Sequence, residues 1–283
     1  MLRHVKQYLK PESVEEAVAL VQSNPKAAYL GGGAWLVAFG GDAVETVVDL
    51  QKVGIGGIEA DIDKVTIGAM ATLQTMIDDA NVARLANGIL ATAAGYTQSR
   101  TLREQGTLGG TLIVADAADP ITTALLVLDA TITYADPVLH KAPFDSFVAY
   151  RDRLIKNRAL LTAVTIARPP AHSAAAFERV GRSPKDKPIV CAAAYVAIEE
   201  GLPTVIRVAV GGADAAPVRL LKSEHLLKGR LLDKAKVEEA LRVAIDELQP
   251  IADFRGSADY RREMAAVLAR RAILAAWEQA RRA

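Results

Sequence analysis

Two glycine-rich segments are the parts of this chain whose residue types best suit binding chemistry. They read Leu30-Gly-Gly-Gly-Ala-Trp-Leu36 and Gly106-Thr-Leu-Gly-Gly-Thr111. Glycine has no side chain and tolerates positive φ, so successive backbone N–H groups can converge on an anion, and threonine hydroxyls add donors. Each segment alone fits a tight turn equally well. Neither carries the Lys-[Ser/Thr] ending of a nucleoside triphosphate loop or a Rossmann fingerprint, so the pair favours two backbone clamps on one extended phosphate ligand, such as a diphosphate.

Side chains able to act as acid, base or nucleophile are sparse. The four histidines are far apart in the sequence and lack metal-ligand spacing, and no G-x-S-x-G elbow is present. Asp116 and Asp119 lie close together, but Asp119 followed by Pro120 is typical of a helix start. Phosphate clamps without a catalytic side chain indicate that a bound cofactor does the chemistry.

Two further features concern charge and sulfur. A basic cluster, formed by Arg179, Arg182, Lys185 and Lys187, lies between the two halves of the chain. It could face a nucleotide or be solvated, and the sequence leaves both interpretations open. The single cysteine, Cys191, excludes an intrachain disulfide and a Cys-ligated iron–sulfur or zinc site. Its apolar neighbours predict a buried, unreactive thiol.

Composition limits the class of protein. The chain has 283 residues, 51% of them hydrophobic, and 34 Lys+Arg against 33 Asp+Glu give a net charge of +1. This balance is typical of globular proteins with two or three domains, and it gives no reason to expect nucleic acid or an anionic membrane as a partner. The start at Met1 shows no basic-then-apolar leader, and the glycine-broken apolar stretch 27–41 is too short for a membrane span. We therefore expect a cytoplasmic protein.

Local signals predict the elements that position these segments. Ser13-Val-Glu-Glu16 fits a capping box and predicts a helix over 13–23. We predict strands over 44–50, 65–69, 131–134, 189–198 and 204–210, and helices over 73–81, 83–95, 121–128, from Asp233, and from about Asp259 towards the C terminus. Strands followed by two helices make the C-terminal part an α+β unit.

With both glycine segments in view, the sequence resembles the medium, FAD-binding subunit of the xanthine dehydrogenase and carbon monoxide dehydrogenase family. The stretch around the second segment, Arg103-Glu-Gln-Gly-Thr-Leu-Gly-Gly-Thr-Leu112, is specific for this family. The first segment alone is a less specific signal. The likeness continues through Phe177–Arg182, Val208–Ala213 and the C-terminal signature Asp253-Phe-Arg-Gly-Ser-Ala-Asp-Tyr-Arg-Arg262. It therefore covers nearly the whole chain in the same order.

The resemblance implies an α+β fold. A two-lobed FAD-binding domain of the PCMH type, with lobes over 1–52 and 53–170, would precede a C-terminal domain of antiparallel sheet and helices over 174–283. FAD would lie between the first two lobes, with its diphosphate on both glycine segments and its isoalloxazine ring towards partner subunits.

The resemblance also implies a set of cofactor-binding residues, with no catalytic residue and no metal ligand in this chain. The set is Tyr29, Leu30, Gly31, Gly32, Gly33, Ala34, Trp35, Leu36, Thr97, Arg103, Gly106, Thr107, Leu108, Gly109, Gly110, Thr111, Asp119, Leu161, Asp186 and Lys187.

Four of these positions depart from the family pattern. Ala34 and Trp35 replace polar residues, so hydrogen bonds from their side chains to the diphosphate should be lost. Trp35 could pack against a flavin face, under the loop, or in the core. Thr111 replaces Asn, and Lys187 stands where some members place an aromatic or small residue.

The resulting hypothesis is an oxidoreductase subunit, a flavoprotein of a molybdenum hydroxylase complex. It would pass electrons between iron–sulfur clusters of a partner and an external acceptor. Its partners would be a molybdopterin-containing large subunit and a [2Fe–2S] small subunit, as a dimer of heterotrimers. Two alternatives stay open: a structural subunit of the same assembly that has lost FAD, which Trp35 favours, and a free-standing flavin reductase.

Overall fold

The computed structural model describes residues 1–97, 99–184 and 186–283. The chain forms two units, each assembled from separate stretches. The first comprises residues 1–79, 99–114 and 130–166, and the second comprises residues 80–98, 115–129 and 167–283. Helices and sheets occur in both, which confirms the predicted α+β class. Among the described residues, no helix combines the length and the apolar character that a membrane span requires.

The N-terminal part of the first unit is a small parallel sheet with one amphipathic helix. Its elements are β1 (Gln7–Leu9), α1 (Val14–Ser23), β2 (Ala27–Leu30), α2 (Leu36–Phe39) and β3 (Thr46–Asp49), with strand order β1-β3-β2. The predicted N-cap is confirmed, because the Ser13 hydroxyl accepts from the Glu16 N–H at 3.1 Å. The Glu16 carboxylate accepts from the Glu12 N–H at 2.9 Å, one residue before the partner that a capping box predicts. One face of α1 buries Ala17, Val18 and Val21 among residues of the sheet and its flanks. Parallel pairing of β2 with β3 brings their carboxyl ends to one edge, where the first glycine segment begins.

The rest of the first unit is built on a five-stranded sheet. Its strands are β4 (Ile58–Ala60), β5 (Lys64–Gly68), β6 (Thr131–Ala135), β7 (Leu139–Pro143) and β8 (Leu160–Ala167), in the order β4-β5-β8-β6-β7. Its helices are α3 (Leu73–Asp78), α6 (Arg100–Gln105), α7 (Leu108–Ile113) and α9 (Phe144–Lys156). The second glycine segment therefore runs from the end of α6 into the first turn of α7. It is a helix start with Thr107 as its N-cap, and the interpretation as a simple turn is wrong.

The second unit contains a four-stranded antiparallel sheet. Its strands are β9 (Ser173–Val180), β10 (Val190–Glu199), β11 (Leu202–Gly211) and β12 (Val218–Arg219), in the order β12-β11-β10-β9. Its helices are α4 (Ala80–Arg84), α5 (Ile89–Gly95), α8 (Pro120–Val127), α10 (Leu221–Leu227), α11 (Lys234–Ile245) and α12 (Ala258–Arg282).

Strand β10 is buried on both faces, which explains why it reads as one apolar run. It packs against α12 and against α8. Val190, Ala192 and Ala194 share a core cluster with residues of α12, whereas Cys191 lies 3.4 Å from the Thr123 hydroxyl of α8. Side chains alternate along a strand, so the two helices cover opposite faces. Burial raises the pKa of the Cys191 thiol to about 12, which confirms the predicted unreactive cysteine.

The single helix predicted over 83–95 is wrong. The structure has α4, a short 3-10 turn over 85–88, and α5. Ala86, Asn87 and Gly88 have φ values of 46°, 60° and 71°, which no right-handed helix accommodates. Asn and Gly tolerate this left-handed conformation better than other residues, and Asn87 donates from its amide to Gln279 at 3.0 Å. Periodicity alone did not reveal this break because Ala and Leu continue on either side of it.

Helix α8 begins as predicted at Asp119, which is buried. One carboxylate oxygen accepts from the Thr122 N–H and from the Thr122 hydroxyl, both at 2.7 Å. Burial raises the pKa of Asp119 to about 6, and these two hydrogen bonds act in the opposite direction. This carboxyl group therefore links folding stability to pH.

Two glycines of the second unit form a matched test of backbone constraint. Gly212 and Gly201 both have positive φ, at +84° and +77°. A Cβ at Gly212 would lie 2.2 Å from the Ile189 carbonyl oxygen, whereas nothing lies within 4 Å of one at Gly201. We expect Gly201→Ala to lower the free energy of unfolding by about 1 kcal/mol, the cost of a left-handed alanine. Gly212→Ala should lower the free energy of unfolding at least twice as much, measured by urea denaturation. Equal decreases for the two variants would contradict the close approach of Gly212 to the Ile189 carbonyl.

A second prediction concerns pH. The folded pKa of Asp119 lies above its ordinary value of 3.8, so the folded protein holds the proton more tightly, and the stability from this group is lost as the pH rises from about 4 through about 6. Asp119→Asn keeps the cap acceptor and cannot ionise. Between about pH 4 and pH 7, the free energy of unfolding of this variant should fall less than that of the wild type, by up to about 3 kcal/mol.

The control for this prediction is Asp233→Asn. Asp233 caps α11 but is exposed, and hydrogen bonds from Lys236 hold the pKa of its carboxyl below the usual range. Its stabilising effect is therefore present above the ordinary pKa and is lost as the pH falls. If the free energies of unfolding of both variants change with pH in the same way, burial of Asp119 is not the cause of the pH dependence.

Candidate functional site

The first glycine segment leaves backbone donors unused. It follows β2 at the carboxyl edge of the small parallel sheet, and Gly32 is exposed. Within the described part of the chain, the N–H groups of Gly32, Gly33 and Ala34 donate to no protein acceptor. Three successive unpaired amides at an exposed loop can receive an anion, as the sequence predicts for this segment.

The two glycine segments meet within the first unit. A Cβ at Gly32 would lie 1.5 Å from the carbonyl oxygen of Gln105, the last residue of α6. A Cβ at Gly31 would lie 3.0 Å from the Thr107 hydroxyl. Only a residue without a side chain allows the two backbones to approach this closely, so glycine at position 32 is a steric requirement.

The second glycine segment uses its own amides differently from the first. The N–H groups of Leu108 and Gly109 donate to carbonyls of Ala71 and Ala69, at 2.9 and 2.8 Å. The Gly110 N–H donates to the Thr107 hydroxyl at 3.1 Å, and the Thr111 N–H donates to a carbonyl one turn earlier. These bonds hold the segment in place. They also mean that, of the two segments, the first offers the run of unpaired amides.

Other predicted residues of the first unit are placed by packing. The Tyr29 hydroxyl donates to the Arg158 carbonyl at 3.0 Å, and burial raises the pKa of Tyr29 well above its usual range. Leu161 is buried in β8. Arg103 donates from Nε to the Gln74 amide oxygen at 3.1 Å. Leu30, Ala34, Leu36, Gly106 and Thr111 are half-buried around the two glycine segments.

Trp35 lies at the surface, next to the first glycine segment. Its side chain is 48% exposed, and its ring centroid lies 5.8 Å from that of Phe39, which is 68% exposed. The interpretation of Trp35 as a core residue is therefore wrong.

Four predicted residues belong to the second unit: Thr97, Asp119, Asp186 and Lys187. The Thr97 hydroxyl oxygen is buried and has no hydrogen-bond partner among the described residues. A buried hydroxyl without a partner costs free energy unless something else satisfies it. Asp119 already uses its carboxylate as the cap of α8.

Each described cation of the basic cluster has a partner in the second unit, and the side chains of Arg182 and Lys187 are also largely exposed to solvent. The Arg179 guanidinium lies 4.3 Å from the centroid of the Tyr96 ring and donates to the Asp186 carbonyl at 2.8 Å. Arg182 pairs with the Asp186 carboxylate at 3.5 Å, and Lys187 pairs with Asp116 at 3.3 Å. Lys185 lies outside the described residues. The described cations of this cluster are thus neutralised or hydrogen-bonded within the second unit.

A cleft in the second unit joins residues that sequence reasoning kept apart. It is lined by Asp116, Arg182, Asp186, Lys187, Ile189, Phe254 and Arg255. Asp116 and Phe254 were not predicted as site residues. They come from distant stretches of the chain, and only the C-terminal signature motif gave any signal for Phe254. The cleft therefore results from tertiary packing.

Comparison with known proteins gives a consistent result. Residues 3–169 match the family described as "FAD binding domain in molybdopterin dehydrogenase", and residues 175–276 match the "CO dehydrogenase flavoprotein C-terminal domain". The chain is 28% identical to the 6-hydroxypseudooxynicotine dehydrogenase complex subunit alpha of Paenarthrobacter nicotinovorans, over 97% of this chain and 95% of that protein. It is also 28% identical to the carbon monoxide dehydrogenase medium chain of Afipia carboxidovorans, over 94% of each.

A solved structure extends this likeness to the fold. Carbon monoxide dehydrogenase from Hydrogenophaga pseudoflava, in a form that lacks the Mo-pyranopterin moiety of its molybdenum cofactor, contains a chain with a TM-score of 0.90 and 26% identity. The match covers 98% of this chain and 99% of that one. The resemblance inferred from the sequence is confirmed. The chain belongs to the family of FAD-binding medium subunits of molybdenum-containing dehydrogenases, and it is an oxidoreductase subunit with FAD as its cofactor.

Proposed function

We propose that the chain holds the diphosphate of FAD on its first glycine segment and passes electrons between iron–sulfur clusters of a partner subunit and an external acceptor. The observation that carries the proposal is the run of unpaired amides at Gly32, Gly33 and Ala34. A diphosphate is an anion that accepts several hydrogen bonds, and backbone amides supply them without a side chain. Bound flavin can take up electrons singly or in pairs, which suits a junction between one-electron centres and other acceptors.

The second glycine segment has a complementary role in this proposal. Gly110 is exposed and has no side chain, so a phosphate can approach the backbone there. The Thr111 hydroxyl is a further donor beside it. The internal hydrogen bonds of Leu108 and Gly109 keep this wall of the site rigid. Most of the hydrogen-bond donors would therefore come from the first segment, and the second segment would supply a rigid wall of the site.

The remaining residue assignments also stand as proposals. Tyr29 and the first-segment residues Leu30, Trp35 and Leu36 are assigned to the cofactor, and so are Arg103, Thr107 and Leu161 of the same unit. Thr97, Asp119, Asp186 and Lys187 of the second unit are likewise assigned to FAD. The unsatisfied Thr97 hydroxyl supports its inclusion, since a ligand acceptor would complete its hydrogen bonding.

The proposed domain division is 1–52, 53–170 and 174–283. The three-stranded sheet falls within the first range and the five-stranded sheet within the second. The boundary near 170 is supported by the family matches, which end at 169 and begin again at 175.

We further propose that the chain works in an assembly with a molybdopterin-containing large subunit and a [2Fe–2S] small subunit, as a dimer of heterotrimers. The relatives support this arrangement because they are named as a complex subunit and as medium chains. The same names argue against a free-standing flavin reductase. The structural subunit without FAD stays the alternative to this proposal, because Trp35 still replaces a polar residue in the first glycine segment.

Flavin content tests the cofactor site. Gly32→Ala forces a Cβ into the Gln105 carbonyl, so the two segments must separate and the three amides lose their arrangement. We expect the purified assembly to lose at least nine-tenths of its FAD, measured by absorbance after denaturation. The control is Gly57→Ala, because a Cβ at this exposed glycine meets nothing within 4 Å. A Gly32→Ala assembly with full FAD, or a Gly57→Ala assembly that loses it, would contradict the proposed site.

Electron transfer needs a separate measurement. In the assembly co-expressed from neighbouring genes, the iron–sulfur clusters can be reduced photochemically under anaerobic conditions. The flavin absorption should then bleach in a phase that follows cluster reduction, and this phase should be absent from the Gly32→Ala assembly. Bound FAD that stays oxidised while the clusters are reduced would reject the electron-transfer role and leave the cofactor assignment intact.

A further inference from the structure

The C-terminal signature contains a buried cation that the proposed cofactor site does not use. Arg261 lies in α12 but is only 3% exposed. Its guanidinium donates to the Asp253 carboxylate at 2.5 Å, to the Ile189 carbonyl at 2.7 Å and to the Gly212 carbonyl at 3.0 Å. A buried charge is costly unless it is paired and hydrogen-bonded, and these three acceptors meet that requirement. Two residues of the signature, Asp253 and Arg261, therefore form one ion pair.

The Ile189 carbonyl belongs to the segment that carries Lys187, and Gly212 is hydrogen-bonded to the segment that carries Asp116, the ion-pair partner of Lys187. Ile189 follows Lys187 after a single proline, whose ring restricts φ, so a shift of Ile189 is transmitted to Lys187. On the other side, the Gly212 N–H donates to the Ala117 carbonyl at 2.5 Å, and Ala117 is the residue after Asp116. One guanidinium thus fixes both segments of the second unit whose side chains meet at 3.3 Å.

The turn that supplies Asp253 belongs to the same arrangement. Asp253 and Gly256 exchange two backbone hydrogen bonds of 3.2 Å, and Arg255 pairs with the Asp253 carboxylate at 2.8 Å. Phe254 and Arg255 of this turn line the cleft together with Lys187 and Asp116. The turn, the start of β10 and the segment before α8 are therefore held through contacts that converge on Arg261.

We propose that Arg261 is a positioning residue, which sets the place of Lys187 and Asp116 by holding the Ile189 and Gly212 carbonyls. The inference rests on the proposed function, which assigns Lys187 to FAD. A lysine ammonium beside flavin favours the reduced, more negative form, so its position affects the reduction potential. Arg261 would act on this potential without touching the cofactor.

The test is a double-mutant cycle in the complete FAD-loaded assembly, with the flavin midpoint potential as the readout. Lys187→Met should lower the potential. Arg261→Lys should lower it by a smaller amount, because a lysine keeps the charge but cannot reach all three acceptors. The double variant should match Lys187→Met alone, since Arg261 acts only through Lys187. Arg262→Lys makes the same change at the next residue, which is more exposed and pairs with Asp259, and it should leave the potential unchanged.

Hydrogen exchange in the same samples separates positioning from general loss of stability. Arg261→Lys should speed exchange in the segments 114–118 and 186–190, while α1 and β3 of the first unit exchange at wild-type rates. If Arg261→Lys does not fold, Asp253→Ala removes the carboxylate acceptor of Arg261 and should shift the potential in the same direction.

The outcomes distinguish the inference from the function on which it rests. Lys187→Met could lower the midpoint potential while Arg261→Lys leaves it at the wild-type value, or the two shifts could be fully additive. Either result would overturn the role of Arg261 alone. If FAD is bound and its midpoint potential is unchanged by Lys187→Met, both that role and the assignment of Lys187 are overturned, but FAD binding is not. A wild-type assembly without flavin would contradict the proposed function itself.

Discussion

The contact between the backbone of Gly32 and the carbonyl of Gln105 is the constraint on which the candidate site depends. It joins the loop after β2 to the end of α6 with no room for a side chain between them. Among the residues that the structure describes, the amides of Gly32, Gly33 and Ala34 have no protein acceptor, and Gly32 is exposed. Exposed amides cost little in water, which satisfies them, yet they are prearranged donors for an anion.

In the proposed site the donors to the diphosphate are backbone amides, so the loop would not need the polar side chains that Ala34 and Trp35 replace. Backbone amides do not titrate, so their hydrogen bonding to an anion would not vary with pH. Lys187, the one lysine assigned to the cofactor, is paired with Asp116 in the second unit.

The second unit combines close packing with one buried charge. Strand β10 and helix α12 present many alanines to each other, and small side chains let a helix and a sheet approach closely. Arg261 stands at one end of this interface, with a carboxylate and two carbonyls as partners. Burial acts to raise the pKa of Asp253, but hydrogen bonds from Arg255 and Arg261 outweigh it and hold that pKa well below its usual range. The carboxylate therefore stays charged in the folded protein at physiological pH.

The sequence by itself determined the features whose causes are local. A capping residue acts on the next three residues, so Ser13 and Asp119 marked α1 and α8 correctly, and Asp233 marked α11. The ordered motifs along the chain likewise identified the family. Tertiary structure decided which amides remain unpaired, because Leu108 and Gly109 find acceptors in a distant loop, while Gly32 finds none in the described part of the chain. It also broke the helix predicted over 83–95, exposed Trp35, and brought Arg261 to the carbonyls of Ile189 and Gly212, since pairings across tens of residues depend on packing that no local pattern records.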